Sequence, residues 1–317
     1  MKAAIRSKYG PPEVLSIKEI DIPNPKDNEV LIRVYAATVN RTDCHILSGW
    51  PFIMRFFTGL FKPGIIVTGT DFAGKIEAIG KKVKSFKTGD RVMGFAGFGL
   101  RSHAQYLSLA ETKAIMIPNN TGYDQAAACI EGAFYALNAV NLLKPKAGQK
   151  ALVIGATGAI GSATVQFLKF YGAFVTAVSG SETIELVKSL GADRVIDYKT
   201  NDFTKDTEKY DLVFDSVGKY TFGKCKHLLK KKGIYTSSGG FQNLFPALFT
   251  PLFGGKKVLF LPPKNIKACL GFINDLVEKG SFKPVIDKKY PIDKIAEAYK
   301  YVASGQKIGN VIITMDA

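Results

Sequence analysis

The sequence predicts an α/β protein in which a doubly wound parallel sheet follows a region of short strands. Three observations predict it. From about Asp124 onward, strand and helix patterns alternate. A glycine-rich turn, Gly155–Ala156–Thr157–Gly158–Ala159–Ile160–Gly161, carries an apolar strand straight into a helix. The first third of the chain instead shows apolar residues at alternate positions, punctuated by turns. At 317 residues the chain exceeds the size at which one core stops growing, so two domains are expected.

Taken in order, MKAAIRSKYGPPEVL lacks the apolar core of a signal peptide and reads as a strand entering the first domain. Strands follow at Ser16–Ile20, Val30–Ala36, Gly74–Ile79 and Arg91–Met93, with irregular loops between them. A helical stretch covers 124–143, then comes the buried strand ALVIG and a helix continuing through Ser162–Tyr171. The unit recurs as strand Phe174–Val178, helix Ser181–Leu190, strands Arg194–Ile196 and Leu212–Phe214, helix Thr221–Leu229 and strand Ile234–Thr236. After Pro262–Pro263 the pattern gives a helix over Asn265–Glu278, the short VID segment, a helix over Ile292–Ala303 and a strand over Asn310–Thr314. Periodicity leaves open whether these last segments extend the sheet or return to the first domain.

Forty-three Lys+Arg against 27 Asp+Glu give a net charge of +16, which favours anionic partners. The basic residues are mostly scattered, so a solvated basic surface is the plain reading, and no aromatic-interleaved nucleic-acid motif is present. Cys44, Cys129, Cys225 and Cys269 form no C-x-x-C pair, which argues against a disulfide framework or a cysteine-rich zinc lobe and for a reducing, cytoplasmic compartment. The uncharged stretch Gly233–Gly255 is long enough to span a bilayer but is broken by glycines and by Pro246 and Pro251.

The glycine turn carries the first functional expectation. Glycines permit a tight bend and let the backbone approach a pyrophosphate, whose charge meets free N–H groups and the positive end of the following helix. Gly155, Thr157, Gly158, Ala159, Ile160 and Gly161 are therefore expected to bind a dinucleotide. At the end of the second strand, where NAD-specific sites place a carboxylate, the sequence reads Val178–Ser179–Gly180–Ser181. A small hydroxyl residue leaves room for a 2′-phosphate, so NADPH is favoured, with NADH possible.

Several segments together resemble the medium-chain dehydrogenase/reductase superfamily, on its zinc-free, quinone-oxidoreductase-like branch. They are VLIRVYAATVNRTD (30–43), GTDFAGKIEAIG (69–80), FKTGDRVMG (86–94), AQYL (104–107), GATGAIGSATVQFLK (155–169), ELVKSLGADRVIDY (185–198) and YDLVFDSVG (210–218). The stretches GADRVIDYKT and VEKGSFKPVID also resemble chloroplast envelope quinone oxidoreductase homologues. The resemblance implies a GroES-like β-barrel catalytic domain over residues 1–122, a Rossmann dinucleotide-binding domain over 123–262 and a C-terminal return to the catalytic domain over 263–317. The active site would lie in the interdomain cleft.

In zinc-dependent relatives a Cys-His-Thr-Asp segment matches Asn40–Arg41–Thr42–Asp43 and a Gly-His-Glu motif matches Gly69–Thr70–Asp71, so both of those metal ligands are replaced and no metal is expected. Cys44, His45 and Cys129 lack the spacing of a recognised site. Without a Lewis acid, hydride passes most easily to an acceptor that is already electrophilic, which points to a quinone or an α,β-unsaturated or otherwise activated carbonyl. Asn40 is the expected catalytic residue, its amide donating to a developing oxyanion, with a structural cap as its other reading. Asp43 reads as a structural acceptor for loop amides. Tyr135 sits where relatives often carry a Thr near the nicotinamide, with Glu131 four residues earlier.

By the same resemblance Ser179 and Tyr198 match positions that contact the adenosine phosphate, whereas Thr183 stands where some relatives carry Lys, with Lys188 and Lys199 nearby. Val217, Ser238 and Gly239 would border the nicotinamide, and Asn310 would meet the cofactor from the returning C-terminus. The aromatic stretches 50–66 and 240–255 fall in segments that rim the substrate cleft, as an apolar lid, a homodimer contact or a membrane contact. A small electrophilic acceptor and a homodimeric partner are expected. A zinc-type alcohol dehydrogenase, or a cofactor-bound RNA- or membrane-binding protein of little turnover, stays as the alternative.

Overall fold

A computed structural model describes residues 1–64, 66–96, 99–239, 241–253, 255–260 and 264–315. The chain forms two compact units, Met1–Glu131 with Ile266–Ala317, and Gly132–Asn265.

The first unit opens with β1 (Lys2–Arg6), which pairs antiparallel with β2 (Leu15–Glu19). Then come β3 (Glu29–Val39), α1 (Arg41–Ser48), α2 (Met54–Thr58), β4 (Asp71–Ile79), β5 (Arg91–Phe95), β6 (Tyr106–Ala110), β7 (Ala114–Met116) and α3 (Tyr123–Ala128). The expected loop after β3 is instead the helix α1. Asn40 has extended backbone and its side chain accepts from the Asp43 amide at 2.9 Å, while the Asp43 carboxylate accepts from the Asn40 amide at 3.0 Å. This reciprocal cap satisfies two orphan donors and starts the helix; Gly49, left-handed at φ +64°, ends it.

The second unit begins on α4 (Glu131–Leu143), so the stretch 124–143 is two helices rather than one. The alternation then runs β8 (Lys150–Ile154), α5 (Ala159–Phe170), β9 (Phe174–Ser179), α6 (Ile184–Ser189), β10 (Arg194–Asp197), β11 (Tyr210–Asp215), α7 (Phe222–Cys225), β12 (Leu229–Ser237), α8 (Leu244–Phe249) and β13 (Lys257–Leu259). All six strands are parallel, in the order β10-β9-β8-β11-β12-β13. Burial on both faces explains the unbroken apolar run Ala151–Ile154 of β8 and the mostly apolar, buried β9. The order reverses between β8 and β11, the topological switch point at which doubly wound sheets bind ligands. Strand β12 starts earlier than expected and shortens the helix before it to α7 and one 3₁₀ turn.

The chain then returns to the first unit through α9 (Ile266–Glu278), β14 (Ile286–Pro291), α10 (Ile295–Ser304) and β15 (Asn310–Thr314). Strand β15 pairs antiparallel with β3, from Val311 against Val39 to Thr314 against Ala36, which decides where the last segments go. The first unit boundary falls later than 122 because α3 packs on β3, β4 and β15 and stays with the first unit; the second falls between Asn265 and Ile266. Pro262 and Pro263 lie outside the described residues. Val30, Ile32, Phe72, Ile76, Val311 and Ile313 centre the first core; Leu152, Ile154, Val178, Val213 and Tyr235 centre the second.

The return is pinned at Gly309, whose φ is +69° and where a Cβ would stand 2.3 Å from the Val285 carbonyl oxygen. Gly309→Ala is expected to destabilise the first unit by about 1–3 kcal/mol. Denaturant melts and faster amide exchange in β14 and β15 would register the change.

Candidate active site

In the second unit the turn after β8 is shaped by what cannot fit beside it. Gly155 has φ +73°, and a Cβ there would meet the Val217 side chain at 2.3 Å. At Gly161 a Cβ would stand 2.1 Å from the Gly155 carbonyl oxygen, so only glycine lets α5 pack this tightly on the strand. Gly158 is different: the nearest atom to its Cβ position is 3.8 Å away, so this backbone faces open space. It is the N-cap of the 12-residue helix α5 and supplies no side-chain cap. The result is an uncapped helix N-terminus behind an unobstructed glycine, a cradle suited to an anionic group. Thr157, Ala159 and Ile160 line it, half-buried.

The neighbouring turns are held by one carboxylate. Asp215, buried at the end of β11, accepts from the amides of Val217 (2.9 Å), Gly218 (3.0 Å) and Tyr220 (2.8 Å). Gly218, at φ +73°, approaches Gly239 so closely that its Cβ would lie 3.1 Å from the Gly239 Cα. The Ser238 hydroxyl donates to the Ser216 carbonyl at 2.8 Å. Val217, Ser238 and Gly239 are thus gathered beside the glycine turn, at the carboxyl ends of the central strands.

At the end of β9 the Ser179 hydroxyl is buried and has no hydrogen-bond partner. The Tyr198 amide donates to the Ser179 carbonyl at 3.0 Å, and the Tyr198 ring is exposed. The two nearby lysines are both engaged: Lys199 pairs with Glu182 at 2.7 Å and Lys188 with Glu185 at 2.8 Å. The Thr183 hydroxyl closes the turn onto the Gly180 carbonyl at 3.0 Å.

The first unit holds a buried polar cluster. Glu131, 5% exposed, accepts from the Thr42 hydroxyl on one carboxylate oxygen at 2.6 Å, and from the Thr70 hydroxyl on the other at 2.9 Å. The Asn40 amide nitrogen donates to that second oxygen as well, and to the Thr70 oxygen at 2.9 Å. Asp71 accepts from the Thr38 amide and hydroxyl at 2.7 and 2.5 Å. Burial pushes the Asp43 and Asp71 carboxyls well above the usual range, and the neighbouring Glu131 adds to both shifts. Burial raises Glu131 to about 7 against the pull of Thr42, Thr70 and the Lys307 ammonium. Lys307 is lowered to about 8 by its own burial, opposed by Glu131 and Asp287.

Asn40 and Asn310 are both engaged within the protein. Both hydrogens of the Asn40 amide are engaged there, where Asn40 caps α1 and clamps Glu131. The Asn310 side chain donates to the Val285 carbonyl at 3.0 Å and fastens β15 to the segment before β14. Tyr135 is half-buried on α4 with its ring 5.5 Å from that of Phe134.

Residues 26–139 match the alcohol dehydrogenase GroES-like domain family and residues 190–313 match the zinc-binding dehydrogenase family. A chloroplast envelope quinone oxidoreductase homolog from Arabidopsis thaliana is 32% identical over 93% of this chain and 92% of its own length. The chain belongs to the medium-chain dehydrogenase/reductase superfamily. A second relative, the chloroplastic NADPH-dependent alkenal/one oxidoreductase of the same plant, is 32% identical over 99% of this chain and 79% of its own length. In fold, the quinone oxidoreductase structure from Coxiella burnetii superimposes with a TM-score of 0.89 at 24% identity, covering 100% of this chain and 99% of that one.

Asn40 and Thr70, which the resemblance sets at zinc-ligand positions, are bonded to each other and to Glu131. The Asn40 carbonyl oxygen already accepts from Asp43, which leaves hydroxyls and one carboxyl where zinc takes thiolate and imidazole. Burial pushes the Cys44 thiol up to about 12 and the Cys129 thiol higher still. The residues do not fit a catalytic zinc.

Sequence reasoning noticed Glu131 only as a neighbour of Tyr135. Its raised carboxyl yields a stability test. A folded-state pKa near 7 against an ordinary 4.5 favours the folded state below about pH 4.5 and withdraws that advantage as pH rises to about 7. Relative to Glu131→Gln, the native protein should lose on the order of 3 kcal/mol across that interval in urea melts.

Proposed function

We propose that the protein is an NADPH-dependent, metal-independent oxidoreductase that delivers hydride to a quinone or an α,β-unsaturated carbonyl. The observation that carries this reading is the glycine cradle, with Gly158 open in front of an uncapped helix N-terminus. The names of the two plant relatives, a quinone oxidoreductase homolog and an NADPH-dependent alkenal/one oxidoreductase, support the acceptor class and the cofactor.

In this reading Gly155, Thr157, Gly158, Ala159, Ile160 and Gly161 receive the pyrophosphate on backbone N–H groups. Ser179 offers its unpartnered hydroxyl to the adenosine 2′-phosphate, and Tyr198 covers the adenosine end. Val217, Ser238 and Gly239 flank the nicotinamide, which, when bound, supplies the hydride. Tyr135 provides a phenol O–H where relatives carry a threonine hydroxyl. Asn40 orients Glu131 instead of touching the acceptor. Asn310 stays in the cofactor set through the backbone it holds. The exposed side chains of Trp50, Phe61, Phe245 and Leu248 supply apolar surface for a bulky acceptor or a second subunit. The four cysteines are free thiols, which suits a reducing cytosol; the reading also includes a homodimer, which light scattering returning a monomer mass would remove.

NADPH oxidation with a benzoquinone or a 2-alkenal, unaffected by chelators, is expected, and turnover of simple alcohols alone, abolished by chelation, would overturn the proposal. Gly158→Ala should fold normally yet weaken NADPH at least about tenfold, because its methyl enters the open cradle. Gly161→Ala should instead lower stability, because its methyl collides with backbone. Ser179→Asp should shift preference toward NADH by about tenfold or more, by placing a charge against the 2′-phosphate.

A further inference from the structure

Hydride transfer to an enone or quinone leaves a negative oxygen or enolate carbon that must be protonated, and the first unit holds a group built to keep a proton. The three donors on Glu131 are not equivalent. The Asn40 amide cannot hand a proton on. The Thr70 hydroxyl is wholly buried and already accepts from Asn40, so its direction is fixed. Thr42 is half-buried in the first turn of α1, and its hydroxyl is the sole donor recorded, among the described residues, on its carboxylate oxygen. It alone has both a path outward and freedom to reverse.

We propose that Glu131 stores the proton that accompanies the hydride and that Thr42 passes it to the reduced acceptor. This rests on the reductase reading above. With Glu131 protonated, its O–H donates to the Thr42 oxygen and the Thr42 hydrogen turns outward. When hydride from NADPH adds to the acceptor, the Thr42 O–H breaks and its proton bonds to the enolate or quinol oxyanion. The Glu131 proton moves to Thr42, leaving a carboxylate, and bulk solvent restores it. The net change is NADPH, one proton and the acceptor going to NADP⁺ and the reduced acceptor.

The charges around Glu131 keep this store near balance. Asp43 on α1 and Asp71 on β4 are themselves raised by burial and by the neighbouring Glu131. Lys307, ahead of β15, favours ionisation of Glu131, and is itself influenced by Arg41, Cys44 and Asp287. Burial, opposed by Thr42, Thr70 and Lys307, brings Glu131 to about 7, so both forms are populated at neutral pH. Lys307 is a positioning residue, since it acts only through Glu131.

Turnover of a 2-alkenal with saturating NADPH, followed across pH, tests the relay, with difference infrared titration of the carboxyl band as an independent readout. The native enzyme should lose kcat above about pH 7, where the band should titrate. Glu131→Gln should abolish that limb and cut kcat by about 100-fold or more with NADPH affinity unchanged. Thr42→Val should match the loss while the carboxyl still titrates, Thr42→Ser should restore turnover, and Lys307→Met should move the limb to higher pH. An unchanged profile in Glu131→Gln, full activity in Thr42→Val, or no band titrating between pH 6 and 8 would overturn the relay and leave the reductase reading standing. Failure of the native protein to reduce any acceptor would remove both.

Discussion

A carboxyl group taken out of water must be surrounded by donors or keep its proton, and the first unit is organised around a group for which both hold. Glu131 draws Thr42 from α1, Thr70 from the approach to β4 and Asn40 from the end of β3 onto two oxygens. Asn40 does two tasks with one side chain. Its carbonyl oxygen caps α1 and its amide nitrogen holds Glu131. The start of a helix, the junction of two strands and the head of α4 are therefore fixed by one network. Removing any member leaves a buried polar atom without its partner, a larger cost than the bond itself contributes.

The second unit solves its problem with backbone rather than charge. The cradle after β8 depends on the absence of side chains at Gly155 and Gly161, and on Asp215, whose three amide bonds hold the adjacent turn in place. A site built this way is rigid before a ligand arrives, so binding costs little ordering. It also carries no fixed positive side chain at the turn. Affinity for an anion there comes from N–H groups and the helix terminus.

That difference explains what could be read in advance. The glycine turn was legible because its spacing is a short local pattern between an apolar strand and a helix, and Gly161 answers to the Gly155 carbonyl within the turn itself. The parallel strands were legible from their mostly apolar runs. Helix α1 was missed although Asn40 and Asp43 stand at capping-box spacing, because the intervening residues carry little apolar periodicity. Glu131 was missed for a different reason: its partners lie 61 to 91 residues away in the sequence, and no pattern inside its own segment records them. The engagement of Lys188 and Lys199 by Glu185 and Glu182 likewise emerges only when the side chains are placed.

On the proposed reading, a hydrogen-bonded cluster in place of zinc ligands also narrows the chemistry the superfamily scaffold performs. A zinc ion polarises a carbonyl and stabilises an alkoxide, which allows an unactivated alcohol to give up hydride. Hydroxyls, an amide and one carboxyl supply far less field, but they can hold and release a proton, which a closed shell of thiolate and imidazole ligands does not. An acceptor with a low-lying empty orbital needs little polarisation before hydride arrives and a proton soon after. Quinones and enones have that requirement. On the proposed reading, their reduction is matched to a site that uses a buried carboxyl group in place of a Lewis acid.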